Sequence, residues 1–251
     1  MPLSEAIRLA FRAIWAAKLR SFFTLLGIIV SVGFLVVVVA VIQGMNAYVR
    51  ENVAASVIGA NSFQIRRTPL NLGRIDDDEW RQIQRRPRIT LRDAEAVRAA
   101  VPGAEAISFQ SGWPTPQADV VWRERTLGDV LIFGITAPFQ IVQDYRIEQG
   151  RPLTDLDVRE RRPVIVVGPV IAEELFGGAD PVGREVRILG ERFEVVGVNA
   201  SKGRVLGQSF DGYVLMPLSR FEMLYGRRNT TTISVKVSRA EQVAPAMAPA
   251  Q

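Results

Sequence analysis

The chain has 251 residues, 48% of them hydrophobic and 23% charged, with a net charge of +5; this length and make-up suit one or two cored domains and exclude disorder throughout. It contains neither Cys nor His, which excludes disulfides, zinc fingers, iron–sulfur clusters, thiolate nucleophiles and every catalytic pair that needs an imidazole. The basic isoelectric point points toward nucleic acid or anionic lipid, but with so small a surplus the placement of the charges tells more than their sum.

Residues 3–19 carry Leu3, Ile7, Ala10, Phe11 and Ile14 at three- and four-residue steps, with Glu5, Arg8 and Arg12 on the opposite side of the wheel. This pattern predicts an amphipathic helix lying in the cytoplasmic interface, with Trp15 at the boundary level and Lys18 snorkelling. A plain cytoplasmic tail is the alternative reading. From Phe22 to Ile42 no residue carries a formal charge. A helix of that length runs about 30 Å, the thickness of the hydrocarbon core, and lipid forces the Val-rich run to be helical. Arg8, Arg12, Lys18 and Arg20 precede the span against Glu5 alone, whereas Arg50 and Glu51 beyond it cancel. The positive-inside rule therefore predicts a cytoplasmic N-terminus and an extracytoplasmic body. A cleavable signal peptide fits less well, because the apolar stretch is too long and Val41–Met45 offers no small-residue cleavage site. Gly27 and Ser31, four apart, would let another helix approach closely.

Beyond the span the pattern predicts a mixed α/β body. Asn61–Arg66 alternates as a strand. Residues 68–89, with Asp76–Glu79 and Arg85–Arg88, read as a solvated loop rather than a metal site, since the Ca²⁺-loop pattern is missing. Thr90 and Asp93 form a capping signal for a helix whose apolar face is Leu91, Ala94, Val97, Ala100 and Val101, closed by Pro102-Gly103. Strands are predicted at Ala106–Phe109, Val120–Arg125, Val130–Ile135 and Val164–Val167. Gly168-Pro169 opens a helix that ends at Phe176-Gly177-Gly178, and Asp180–Gly183 reads as a type I turn. A hairpin is expected around Gly190, then a strand at Tyr213–Met216, a helix from Pro217 to Leu224 and a final strand at Thr231–Val237. Pro245 and Pro249 are expected to leave the last residues disordered. The class is α+β.

The chemistry of a catalytic site is missing. No phosphate-binding loop surrounds any of the three lysines, Lys18, Lys202 and Lys236, and no nucleophile elbow or dinucleotide fingerprint occurs. Glu173-Glu174 are adjacent on a helix and diverge. Lys202 is a conceivable activated amine, but its sequence neighbours include no acid or base. These residues predict no catalytic, cofactor-binding or metal-binding group.

Several stretches, in this order and spacing, resemble the permease subunits of MacB-type ABC transporters, which include the lipoprotein-releasing and FtsX-like permeases. They are LRSFFTLLGIIVSVGF at 19–34, IGANSFQI at 58–65, ITLRDAEAVRAAVPGAEAIS at 89–108, VLIFGITAPFQIVQDYRIEQGRPLTDLD at 130–157, VIVVGPVIAEELFGGADPVGREVRILGERFEVVGV at 164–198 and GRVLGQSFDGYVLMPLSRFEMLYG at 203–226.

The resemblance implies an interfacial segment at 1–21, a membrane helix at 22–44, an extracytoplasmic core domain at 45–238 and a disordered tail at 239–251. The core would have two lobes, a porter-like lobe at about 45–110 and 228–238 and an inserted lobe at about 111–227. It also implies ATP hydrolysis on a separate ATPase subunit, a second permease subunit as partner, an inner-membrane location and contact with a periplasmic adaptor or other envelope protein. Nucleic acid is not expected, because the body faces outward. Family permeases continue into three further membrane helices, so the resemblance further implies that this is the N-terminal portion, with a last strand left as an open sheet edge. The alternative is a membrane-tethered binding module without ATP coupling, or a permease fragment without function.

Overall fold

The computed structural model describes residues 17–48, 59–67, 76–112, 115–205, 208–209, 211–226 and 231–248. The chain forms two compact units, residues 1–51 and 52–251. In the first, a single helix, α1 (Lys18–Tyr48), contains the whole expected span. The predicted interfacial helix lies almost wholly outside the described residues, with Arg8, Arg12 and Trp15.

The second unit begins with β1 (Ser62–Arg66), α2 (Asp77–Arg85), α3 (Leu91–Ala100), β2 (Ala104–Ser111), β3 (Gln117–Trp122), β4 (Arg125–Ile135) and α4 (Phe139–Val142). It continues through β5 (Ile147–Gly150), α5 (Asp155–Arg159), β6 (Val164–Val167), α6 (Pro169–Phe176), β7 (Glu185–Ile188) and β8 (Glu191–Asn199). It closes with β9 (Arg204–Val205), β10 (Gln208–Ser209), β11 (Tyr213–Pro217), α7 (Leu218–Tyr225), β12 (Thr231–Val237), a 3₁₀ turn at Ala240–Gln242 and α8 (Val243–Met247).

Most of the strands share one sheet, in the order β1-β12-β2-β4-β11-β6-β8-β7-β3. The additional pairing of β3 with β4 closes β4, β11, β6, β8, β7 and β3 into a ring. Strand β4 belongs to both parts: it pairs β3 through residues 125–131, β11 in parallel through 131–135, and β2 at Ile135. The expected lobe boundary near 110 therefore falls inside β2, where the sheet is continuous.

Alternation sorts the cores. On β6, Ile165 and Val167 join one cluster with Ile132, Phe193, Val214 and Phe221, while Val164 and Val166 join another with Ile135, Leu153 and Leu215. A strand buried on both faces reads as a continuous apolar run, which is what Val164–Val167 is. A third cluster, Phe63, Ile107, Phe109, Ile233 and Val235 with Val97 and Val101 of α3 and its end, lines one face of β1, β12 and β2.

Several expectations need correction. The loop predicted at 68–89 contains helix α2, which starts within the acidic run at Asp77 and holds Arg85 in its last turn, matching the helix dipole at both ends. Asp78 pairs with Arg81 at 3.2 Å, and Ile83 is buried. Only that short apolar signal betrayed it. The tail predicted as disordered is helical from Ala240 to Met247: Pro245 sits in the first turn of α8, where its missing N–H has no helical partner to lose, and Val243 and Ala246 pack on the third cluster. The final strand is not an edge. Strand β12 lies between β1 and β2, antiparallel to both, and β1 is the edge.

Smaller differences are local. The predicted strand Val120–Arg125 is interrupted by a hairpin turn at Arg123-Glu124, with Arg123 at φ 54. The turn near Pro181 is shifted by one residue, spanning Pro181 to Arg184 with Gly183 at φ 78; a positive φ at that position is the type II requirement. Leu91, assigned to the apolar face of α3, is the first residue of the helix and is exposed. The hairpin around Gly190 forms as expected, with Leu189 and Gly190 both at positive φ, as the mirror-image turn demands.

Candidate functional site

Two features of this chain stand out as candidates: the apolar helix and a polar node around Asp144. From Lys18 to Gly44, α1 is long and apolar enough to cross a membrane. Its side chains are exposed within its own unit, and Lys18 and Arg20 are exposed at its start. Gly27 and Ser31 fall on one face one turn apart. The Ser31 hydroxyl donates to the Gly27 carbonyl at 2.8 Å, so its hydrogen-bonding capacity is used within the helix and its contribution to a neighbour is smallness. A methyl group placed on Gly27 would meet nothing within 4 Å; that face is open in this unit.

The node forms where the chain approaches β1. Asp144 follows α4 in the left-handed region, φ 55, which Asp tolerates through its short polar side chain. One carboxylate oxygen accepts from the Ala60 amide at 2.8 Å, and the other pairs with Lys236 of β12. The Ser62 hydroxyl donates to the Val142 carbonyl at 3.2 Å. Gly59, at φ 90, approaches the same carbonyl so closely that a Cβ there would lie 2.0 Å from its oxygen. Residues 59–62 are thus fastened to α4 and to β12 together.

A second set of polar groups adjoins the node. Lys202 donates through Nζ to the Gln143 carbonyl at 2.5 Å and lies 3.9 Å from the centre of the Tyr145 ring. Burial lowers its pKa to about 8, against the opposing pull of Asp144 and Asp211. Sequence neighbours gave Lys202 no acidic companion; the fold supplies Asp211, which accepts from the Lys202 amide at 3.2 Å and from Ser201 Oγ at 2.5 Å. The amine faces a carbonyl and a ring, an arrangement that holds structure together. Burial pushes the Tyr145 hydroxyl up to about 12, even against its hydrogen bond with Tyr213, and pushes that of Tyr213 higher still. Asn199 donates to Tyr213 Oη at 2.9 Å and accepts from Gln140 at 3.4 Å, and Gln140 accepts from the Leu153 amide at 3.0 Å. This buried chain ties α4 to β8 and β11. Among the described residues no group of three His, Cys, Asp or Glu is placed to hold a metal ion.

None of the node residues was singled out from sequence except Lys202. Asp144 and Lys236 lie 92 positions apart, and only the return of β12 to the sheet brings them together.

Comparison with known proteins places this fold. The family model described as the MacB-like periplasmic core domain matches residues 21–251. The chain is 29% identical over 238 residues to the macrolide export ATP-binding/permease protein MacB of Chlorobaculum tepidum, covering 94% of this chain and 35% of that one. It is 27% identical over 247 residues to the uncharacterized ABC transporter permease YknZ of Bacillus subtilis, covering 97% of this chain and 58% of the relative. The periplasmic region of MacB from Actinobacillus actinomycetemcomitans superposes with a TM-score of 0.60 at 19% identity, covering 78% of this chain and 83% of that one; at that identity the likeness speaks to fold. The chain thus spans from about a third to under two thirds of the length of these curated relatives.

Proposed function

The chain belongs to the family of the MacB-like periplasmic core domain, and from that premise we propose that it is the N-terminal portion of an ABC transporter permease that carries ATP-driven motion across the membrane. In this reading α1 spans the inner membrane with Arg20 and Lys18 on the cytoplasmic side, and the body from residue 45 onward faces out. Helix α3 with β1, β2 and β12 is the porter-like lobe, and the ring of strands is the inserted one. ATP is hydrolysed on an ATPase subunit, and a second permease subunit packs against the Gly27–Ser31 face. Motion of the spanning helix reaches the body through residues 59–62, whose attachment to Asp144 spreads load into α4 and β12 instead of peeling edge strand β1. The substrate is exported or released at the outer face, with an adaptor or envelope protein as the downstream partner.

The observation that carries this reading is an apolar helix of membrane length directly preceding a body of the MacB-like fold. Replacing both Gly27 and Ser31 by Leu adds bulk to a face that close helix packing needs to be small. In mild detergent, the full chain is expected to co-purify with its ATPase and a second permease subunit, and the double variant to lose most of the permease partner. Undiminished recovery with the double variant removes the helix-packing role, and no ATPase in either preparation removes ATP coupling.

A further inference from the structure

The alternation of SFQIR, TTISVKV and AEAISFQS gives the β1-β12-β2 sheet one apolar and one polar face. The registers align Ser62 with Lys236 and Ala106, and Gln64 with Ser234 and Ser108. Such a polar face is ordinarily wetted. Here helix α4 packs across β12 and β2, and Ser234 is 0% exposed and Ser108 1%. The first row bonds to the end of the helix: Ser62 reaches the Val142 carbonyl, and Lys236 reaches the Ile141 carbonyl and Asp144. Beyond that row the contact is unanswered. The Ser234 and Ser108 hydroxyls, the Gln64 side-chain nitrogen and the Gln110 side-chain oxygen are buried with no hydrogen-bond partner among the described residues. Native proteins pair nearly all such groups, and each unpaired one weakens the contact that buries it.

Helix α4 is fastened more firmly to the ring of strands than to this sheet. Its Gln140 donates to Asn199 of β8 and accepts from the Leu153 amide. Phe139 packs with Ile135, Leu153 and Leu215, and Lys202 holds the Gln143 carbonyl just beyond the helix. The sheet itself joins the ring narrowly. Strands β2 and β4 share one register pair, Gln110 with Ile135, flanked by the Phe109–Thr136 bonds and by the Ser111 hydroxyl accepting from the Gly134 amide. On the opposite, apolar face, Leu218 at the start of α7 packs into the third cluster. The junction therefore has a pivot at β2–β4, a hydrophobic contact on one side of it and an unanswered polar contact on the other.

We propose that the β1-β12-β2 sheet is hinged on the ring at the β2–β4 junction, and that its polar face swings away from α4 when the Lys236–Asp144 latch releases. The polar side is the one that opens, because exposure satisfies Ser108, Ser234, Gln64 and Gln110, whereas opening the Leu218 side would expose apolar surface. Alternation along β12 and β2 thus serves two states: the hydroxyls that are unanswered in the closed one are hydrated in the open one. The Asp144 carboxylate also holds the Ala60 amide, so the latch lies where the chain enters the sheet.

The lack of native Cys makes the opening measurable. Ser234→Cys and Ser108→Cys, each the sole thiol, place probes beneath α4. Ala118→Cys, at a site 8% exposed in the core of the ring, is the control. Each full chain, in detergent, is treated with N-ethylmaleimide under native conditions. When closing outruns labelling, the rate follows the population of the open form. Both probes are expected to label about tenfold faster than the control, or more. Lys236→Met removes the latch and is expected to speed both probes about fivefold further while leaving Ala118→Cys unchanged. Ser108→Ala in the Ser234→Cys chain removes an unanswered hydroxyl from the closed state, so labelling is expected to slow about fivefold. Probes that label no faster than the control, a Lys236→Met effect equal at all three positions, or a Ser108→Ala substitution that leaves the Ser234→Cys rate unchanged or raises it would each overturn the hinge. None of these readouts depends on an ATPase or a second permease subunit, so the hinge can fail without the transport role failing, and the reverse.

Discussion

Asp157→Ala is expected to destabilise the body by about 3 kcal/mol at neutral pH, the cost of breaking a buried, hydrogen-bonded charge. The side chain of Asp157 is fully buried at the start of α5. It accepts from the Thr154 amide at 2.9 Å, from the Thr154 hydroxyl at 2.7 Å and from Arg151 at 2.7 and 3.3 Å, with Arg162 at 3.7 Å. Thr154 in return caps the Asp157 amide at 3.3 Å. Burial on its own would raise the carboxyl pKa; the hydrogen bonds from Arg151 and Thr154 outweigh it and hold the group at about 2. Because the folded pKa lies below the unfolded one, the stabilisation is fully present above about pH 4 and is lost as pH falls through 2. The gap in unfolding free energy between wild type and variant, measured by denaturant titration, is therefore expected to be constant from pH 7 to 5 and to shrink by about 2 kcal/mol toward pH 2. A gap that does not change with pH would show that the carboxylate is not held in this way.

Gly168→Ala is the second large effect, and its origin is steric. Gly168 precedes α6 with φ −73, a conformation open to any residue, so backbone freedom is not the reason for glycine. The reason is proximity: a Cβ would lie 2.0 Å from the Asp211 carbonyl oxygen and 3.2 Å from the Tyr213 ring, while the Gly168 amide donates to the Tyr213 carbonyl at 2.9 Å. Backbone cannot step aside as a side chain can, so a loss of about 2–3 kcal/mol is expected. Gly212, also at an unexceptional φ, has nothing within 4 Å of its Cβ position; Gly212→Ala should stay within about 0.5 kcal/mol of wild type. Equal behaviour of the two variants in thermal unfolding would contradict the close approach.

Much of this fold was legible in the residues. The charge-free run from Phe22, the Thr90–Asp93 cap, Gly168-Pro169 at the start of α6 and the apolar Val164–Val167 each reflect a local rule that the tertiary structure keeps. What failed was set at long range or by too short a signal. Helix α2 is mostly charged and polar, with Ile83 buried among its described side chains, and α4 and α5 are too short to display periodicity. The alternation of Thr231–Val237 reads as apolar inside and polar outside, yet residues 232–237 are buried on both faces, because α4, about ninety positions earlier, packs across the polar one. The closing of β12 between β1 and β2 depends on the same long-range return. Gly27 and Ser31 lie one turn apart on one helix face, where the Ser31 hydroxyl donates to the Gly27 carbonyl.

The proposed permease role requires a cytoplasmic N-terminus and an outward-facing body, and the lack of native Cys makes that directly measurable. Ser4→Cys and Ser238→Cys, each the sole thiol in the full chain, report the two sides when spheroplasts are treated with a membrane-impermeant maleimide. Ser238 is exposed just after β12. Labelling of Ser238→Cys in intact spheroplasts, with Ser4→Cys labelled only after lysis, is the predicted result; the reverse pattern, or labelling of both before lysis, would contradict it.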